Sequence, residues 1–445
     1  MAESPDQSGI GASDHFKTLI GWILAAEIVA MALFVSPTGS SVFRLPKDIL
    51  LMGSAIVLAT VYLSGMILES VKLGWIPWRS GPVRLAGGII VWSLIATATS
   101  TQPRLSLASA RLAIAAAILF VVTYSFVSRH REPDRAISPF ALAGLLIAGA
   151  IVNGAIAMAQ AFSPWSPIEL EVRLSRHFVS RTALIGNPND VGMFLVVPAL
   201  AAVVLASVSR GRKRWILGGI AIFLFGALVT NQTRTAVIAY LTGIFLVGIV
   251  GAGRRGVVWV AIPVGIILIL AMLSPAFFRV EGLRSAFRSG SIDRILSGRL
   301  IAFGTASAIF LDHPLLGSGP GTFGWQYLPY RAAAVDRWES LERAGTRNVN
   351  FAEVHNDHLE VLAETGIPGY ALFLGSLALI ASVSIRAKRP GAGPSRIHLF
   401  AGGFALPFAG TVFVLCLAQF PLQLAAPTST LVMFAAICLG WREDR

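Results

Sequence analysis

An all-α, polytopic integral membrane protein is the fold class that this sequence predicts, and three observations predict it. Of 445 residues, 55% are hydrophobic and only 13% charged, and the mean hydropathy is +0.71, which leaves too little polar surface for a water-soluble globule of this size. Apolar runs recur at the length a bilayer crossing needs, roughly 20 residues. Between them Lys and Arg gather in short clusters, the pattern of topology signals. The net charge of +13 and isoelectric point near 10.6 therefore describe loops at a membrane surface. No continuous basic face exists for nucleic acid, which is excluded as a partner, and membrane lipids are the medium. The two cysteines, Cys416 and Cys438, lie in apolar runs and support neither a disulfide framework nor a thiolate metal site.

About twelve spans follow from the runs, over 17–36, 49–69, 83–100, 108–128, 139–162, 191–209, 215–230, 235–252, 257–275, 366–385, 398–419 and 426–441; the third, seventh and last are the shortest fits. The first span is expected to remain uncleaved, because residues 1–16 carry acids and no basic leader region. Orientation follows from the charges at span ends. With the amino terminus inside, the inner connections hold Arg129, Arg131 and Arg135, then Arg210, Arg212, Lys213 and Arg214, then Arg386, Lys388 and Arg389; the outer ones hold fewer, among them Arg44, Lys47, Arg104 and Arg234. Four regions result. Residues 1–16 form a cytoplasmic tail, 17–275 spans one to nine, 276–365 a large periplasmic helical loop between spans nine and ten, and 366–445 spans ten to twelve with the tail. The expected location is a bacterial inner membrane, multi-pass, with the active site facing the periplasm.

The long loop exceeds the length of a simple connector. Ser297 to Pro314 reads as a half-buried helix stopped by proline, Gly317 to Trp325 as a glycine-rich loop, and Ala334 to Gly345 as a polar helix. The stretch Asn350 to Leu374 reads as a polar, histidine-bearing helix running without a break into a span. His355, Leu359 and Leu362 fall at helical spacing along it, before a turn or helix start at Gly366-Ile-Pro-Gly369.

His355-Asn356, nine residues, Gly366, two residues and Gly369-Tyr370 together resemble the hallmark of the O-antigen ligase family and its polymerase and oligosaccharyltransferase relatives. Arg299 and Phe303 in GRLIAF resemble the family's arginine-then-tryptophan segment, with phenylalanine in place of tryptophan. HPLLGSGPGTF, from His313 to Phe323, resembles its glycine loop, and Arg234 in NQTRTA and the GNPND turn stand where the family carries an arginine and an Asn-Pro-Asn turn. The likeness covers roughly Arg181 to Leu374; the first five spans match in hydropathy alone.

That resemblance implies transfer of a glycan from undecaprenyl pyrophosphate to an acceptor hydroxyl, without metal or cofactor and with inversion at the anomeric carbon. The favoured version is ligation of O-antigen to a lipid A core sugar. The alternative is polymerisation of lipid-linked O-antigen or exopolysaccharide repeats, and a different class, a transporter or flippase of lipid-linked sugars, also suits twelve spans. The uneven split of the spans around the long loop argues against the last.

The chemistry fits these residue types. A base must take the acceptor proton, and His355 has an ordinary pKa near neutrality. Positive charge must hold the departing pyrophosphate, and Arg234 and Arg299 offer planar forks to phosphate oxygens. Arg181, Asn356, Gly319 and Gly321 are further candidates for substrate contact. Each has a plainer alternative: structural hydrogen bonding for a histidine, interfacial anchoring for an arginine, tight turns for the glycines. His358 is expected to be structural. Glu364 is expected to cap or pair near the Gly366 turn.

Overall fold

The computed structural model describes residues 8–36, 41–68, 71–130, 137–163, 181–251, 296, 298–338, 341, 350–387 and 396–440. Among these residues every regular element is helical, with no strand. Eight helices precede the long loop: α1 (Ser8–Leu33), α2 (Arg44–Ile67), α3 (Gly81–Ala98), α4 (Pro103–Ser128), α5 (Pro139–Phe162), α6 (Pro188–Val208), α7 (Arg212–Asn231) and α8 (Arg234–Gly251). The loop contributes α9 (Leu300–Asp312) and α10 (Phe323–Arg337), and three more follow: α11 (Asp357–Arg386), α12 (Arg396–Cys416) and α13 (Ala425–Gly440). Ten of these helices are long and apolar enough to cross a bilayer. The protein is therefore a multi-pass membrane protein, as its composition predicts.

The expected ninth span, 257–275, lies outside the described residues. The last, α13, has 16 residues and falls short of an ordinary crossing. It is instead the wrapped centre of the bundle: it packs against α4, α2, α6, α1 and α12, and 15 of its residues are buried. A helix apolar on every side is one enclosed by other helices. α6 shares that character, so α6, α12 and α13 form the core around which the more lipid-exposed α2, α3 and α7 stand.

The connections expected on the outer side do meet at one end of the bundle. Lys47 Nζ donates to the carbonyls of Phe34 and Leu184, Thr101 N to Ser318 O, and Thr233 Oγ1 to Pro188 O. Buried Lys47 is thus a brace between two connections, its ammonium satisfied by carbonyls.

Three sequence expectations for the loop need correction. Its first helix is shorter than expected, starting at Leu300 and ending at Asp312. The expected polar helix from Ala334 does not begin there: Ala334 to Arg337 are the last turn of α10, and 342–349 lie outside the described residues. The stretch from Asn350 is not one continuous helix either. Helical geometry begins only at Asp357, with Asn356 as N-cap, and Gly366 interrupts it with φ 66° and ψ −172°.

The interruption explains the Gly366-Ile-Pro-Gly369 motif. Only glycine enters that backbone region readily, and a Cβ at Gly366 would run into the Leu315 carbonyl. Breaking a helix strands carbonyls before the break and amides after it. Here each finds a partner. Ser318 N donates to Ala363 O, Gly319 N to Glu364 O, and the Trp92 indole to Thr365 O; on the other side Ile367 N donates to Pro314 O. Pro368 falls in the first turn of the resumed helix, where a missing N–H costs nothing. The glycine-rich loop is thus welded to the point where α11 enters the membrane.

Candidate active site

His355 sits just ahead of α11, and its backbone is left-handed, φ 59°. That conformation is uncommon for a residue with a side chain and marks a site whose surroundings enforce it. Asn356 explains the tight turn: its side chain accepts a hydrogen bond from Leu359 N at 3.1 Å, capping the helix. The imidazole therefore leaves the helical register that spacing had assigned to it. It stands edge-on between two rings, Phe420 at 4.6 Å and Phe351 at 6.1 Å between centroids. Its Nδ1 is enclosed without a hydrogen-bond partner among the described residues.

Electrostatics around the ring are strongly positive. Burial first, then the charges of Arg299 and Arg44, hold the His355 pKa at about 3 instead of the ordinary 6.5. The imidazole is therefore neutral at any physiological pH. Because the folded state releases this proton more readily than the unfolded one, His355 contributes stability that is complete above about pH 6.5 and is lost as pH falls from there toward about 3. Thermal unfolding of the wild type beside His355→Gln should show this: the wild type loses more stability on acidification through that window, and parallel curves would refute it.

Arg299 immediately precedes α9, and its Nη1 donates to Ala418 O at 2.7 Å. Burial lowers its pKa, though guanidinium stays protonated regardless. Among the described residues no carboxylate pairs with it. The structure thus brings Arg299 to His355, with one guanidinium edge pinned and its charge uncompensated.

Arg234 opens α8, half-buried. Its neighbours Asn231 and Thr233 both donate to the Pro188 carbonyl in the Asn-Pro-Asn turn. That turn is rigid in its own right, since Asn187 Oδ1 accepts from Asn189 N and Asp190 N. Arg181 is half-buried in a left-handed conformation in the connection leading to the same turn.

Gly319 and Gly321 are engaged within the protein. Gly319 N donates to the Glu364 carbonyl, and Gly321 N to Glu364 Oε2 at 2.7 Å; a Cβ on Gly321 would meet the Ser109 side chain. Glu364 also accepts from Phe323 N at 2.9 Å, so of the two roles expected of it near the Gly366 turn it takes the capping one, at the start of α10. Two other buried carboxyls at the start of α11 act alike: Glu360 accepts from Val354 N and Asp357 from Leu422 N. One helix start thereby ties down three separate loops. His358 is structural, as its sequence setting suggests, with Nδ1 3.1 Å from Tyr370 Oη and Nε2 3.0 Å from Phe413 O.

Arg44, Glu353 and Phe420, which sequence reasoning missed, complete the site. Arg44 Nη1 donates to Glu353 Oε1 at 2.9 Å, its Nε lies 3.5 Å from Asp190 Oδ2, and its Cζ sits 5.6 Å over the Phe420 ring. Its place in the sequence marks Arg44 only as a topology charge. The signal available was the density of RLPKD, three charged residues in five at a span start, more than orientation needs.

Beside this cluster a cavity of about 510 Å³ runs down the bundle. At the site end it touches Asp48, Glu364 and Gln423; deeper in, it is walled by apolar residues such as Leu112, Phe120, Leu372 and Leu431. Its volume is that of a ligand pocket.

No curated protein matches the chain. The family model described as O-Antigen ligase does match, over residues 219–374, a stretch holding Arg234, Arg299, the glycine loop, His355 and the Gly366 break. This chain is thus a multi-pass membrane protein that carries an O-antigen ligase domain over residues 219–374.

Proposed function

We propose that the chain ligates a glycan carried on undecaprenyl pyrophosphate to a sugar hydroxyl of lipid A core, at the periplasmic face of a bacterial inner membrane. The observation that carries this reading is the pairing of a neutral, enclosed imidazole with a charge-uncompensated guanidinium, near an apolar cavity whose lining includes Leu45, Leu422 and Gln423, chain neighbours of Arg44 and Phe420. The carrier's first isoprene units occupy the cavity. Its pyrophosphate lies toward Arg299 and Arg234, and His355 takes the proton from the attacking hydroxyl as the anomeric C–O bond to phosphate breaks. The bound diphosphate also offsets the arginine charges, which raises the proton affinity of the imidazole at the moment it is needed. The glycine loop and the start of α11 act as one unit in this scheme, since they share their hydrogen bonds.

The test is reconstitution in liposomes with a polyprenyl-pyrophosphate glycan, with and without lipid A core. Core capped by glycan supports ligation. Lengthened lipid-linked glycan without use of the core would make the chain a polymerase. In the same assay Arg299→Lys is expected to lose most activity despite keeping its charge, roughly 10-fold or more, because a single ammonium cannot both hold Ala418 O and present a planar fork to phosphate. Near-normal turnover would reduce Arg299 to a general electrostatic influence.

A further inference from the structure

Arg44 belongs to none of the motifs that carry the family match, and it lies far outside the matched residues. Yet it reaches His355 along two independent routes. One runs through the ring: Arg44 lies 5.6 Å over the face of Phe420, and Phe420 meets the imidazole edge-to-face at 4.6 Å. The other runs through the backbone: Arg44 grips Glu353 at 2.9 Å, two residues before the left-handed turn at His355. A third contact, to buried Asp190, fixes Arg44 itself to the Asn-Pro-Asn turn at the head of α6. A side chain with three planar contacts in three directions is one that lysine cannot replace.

We propose that Arg44 is a positioning residue for His355, holding the imidazole through Phe420 and Glu353 and placing a second positive charge beside it. The groups that face or adjoin the ring support this role. Arg299 supplies one charge from the segment before α9 and Arg44 the other from α2. Asp190 and Glu353 face Arg44, while on α11 Asp357, Glu360 and Glu364 are turned to the amides of Leu422, Val354 and the glycine loop. Asp48, one turn along α2, also feels the Arg44 charge, so Arg44 divides its charge between three carboxylates and the imidazole.

The assignment of His355 as base is the reading this inference rests on, so the decisive measurement does not use activity. The full chain, with ¹⁵N-labelled histidine, is placed in lipid nanodiscs, and the His355 imidazole is titrated, its signal identified by its loss in His355→Gln. Arg44→Gln alone would leave the buried Asp190 carboxylate unpaired, so the variant to use is the double replacement Arg44→Gln with Asp190→Asn, which keeps polar partners of similar shape. The expected result is a titration midpoint at least about one pH unit higher than in the wild type, the usual scale for removing a nearby charge. Coincident midpoints would overturn the electrostatic part. Arg44→Lys tests positioning: it should titrate like the wild type but lose about 10-fold in kcat for glycan transfer, with KM little changed. Wild-type kcat in Arg44→Lys would overturn that part. If His355→Ala transferred glycan normally, the base assignment would fail while the titration shift could still stand, which separates the two claims.

Discussion

Replacing His355 with alanine is expected to lower glycan transfer by about 10²- to 10⁴-fold, the range over which a positioned proton acceptor contributes, while leaving the protein folded in the membrane. The ring forms no hydrogen bond through Nδ1, and its neighbours Phe351 and Phe420 are anchored independently of it: Phe351 against Tyr327, and Phe420 through the Phe420 O to Gln423 N bond. His355→Gln should behave the same way, because an amide fills the space but cannot accept and hold a proton. Transfer measured with saturating lipid-linked donor decides it. Retention of more than about a tenth of the wild-type rate in both variants would remove His355 from the reaction.

The second large effect concerns stability. Glu364→Ala is expected to strand the buried amide of Phe323, costing about 1–3 kcal/mol, and the half-buried amide of Gly321, costing less because water can reach it. The loss also frees the glycine loop from α11 and uncaps α10. Thermal stability and transfer should therefore fall together, and Glu364→Gln should lie between, since its amide can accept at one oxygen but turns a donor toward the other N–H. A melting temperature within about 1 °C of the wild type for Glu364→Ala would mean that the carboxylate does not hold the loop.

Much of the fold was legible because the bilayer imposes it. Apolar length alone located most of the spans, and α13 deviated only because a helix sheathed by its neighbours need not reach both interfaces. The Gly366 break was also foreshadowed, as glycine and proline two apart signal a restart of helix. The register of His355 was not. Spacing placed it on the helix with Leu359 and Leu362, but Asn356 before an Asp-His-Leu-Glu sequence is itself an N-cap signature, which takes the preceding residue out of the helix.

The glycine loop illustrates a different limit. Gly319 and Gly321 are sequence candidates for substrate contact, and the positive φ that they share with Gly317 shows that their identity was informative about backbone shape. What sequence could not say is that the neighbouring amides are already taken by Glu364, some 40 residues away. Arg44 was hidden for the same reason: its partners Asp190, Glu353 and Phe420 come from three distant parts of the chain, and only folding brings them together.

The short connection from Ala418 to Leu422 takes a guanidinium from Arg299, an amide and a carboxylate from Asp357, and a ring edge from His355. It also follows every motif residue in the chain and so leaves the ribosome after them. A nascent protein that has already inserted every motif residue still lacks the surface against which they are set. Stop codons between Arg386 and Ala418 should therefore silence the enzyme as completely as loss of the histidine, and the 219–374 segment expressed alone would hold the reactive groups without the floor that orders them.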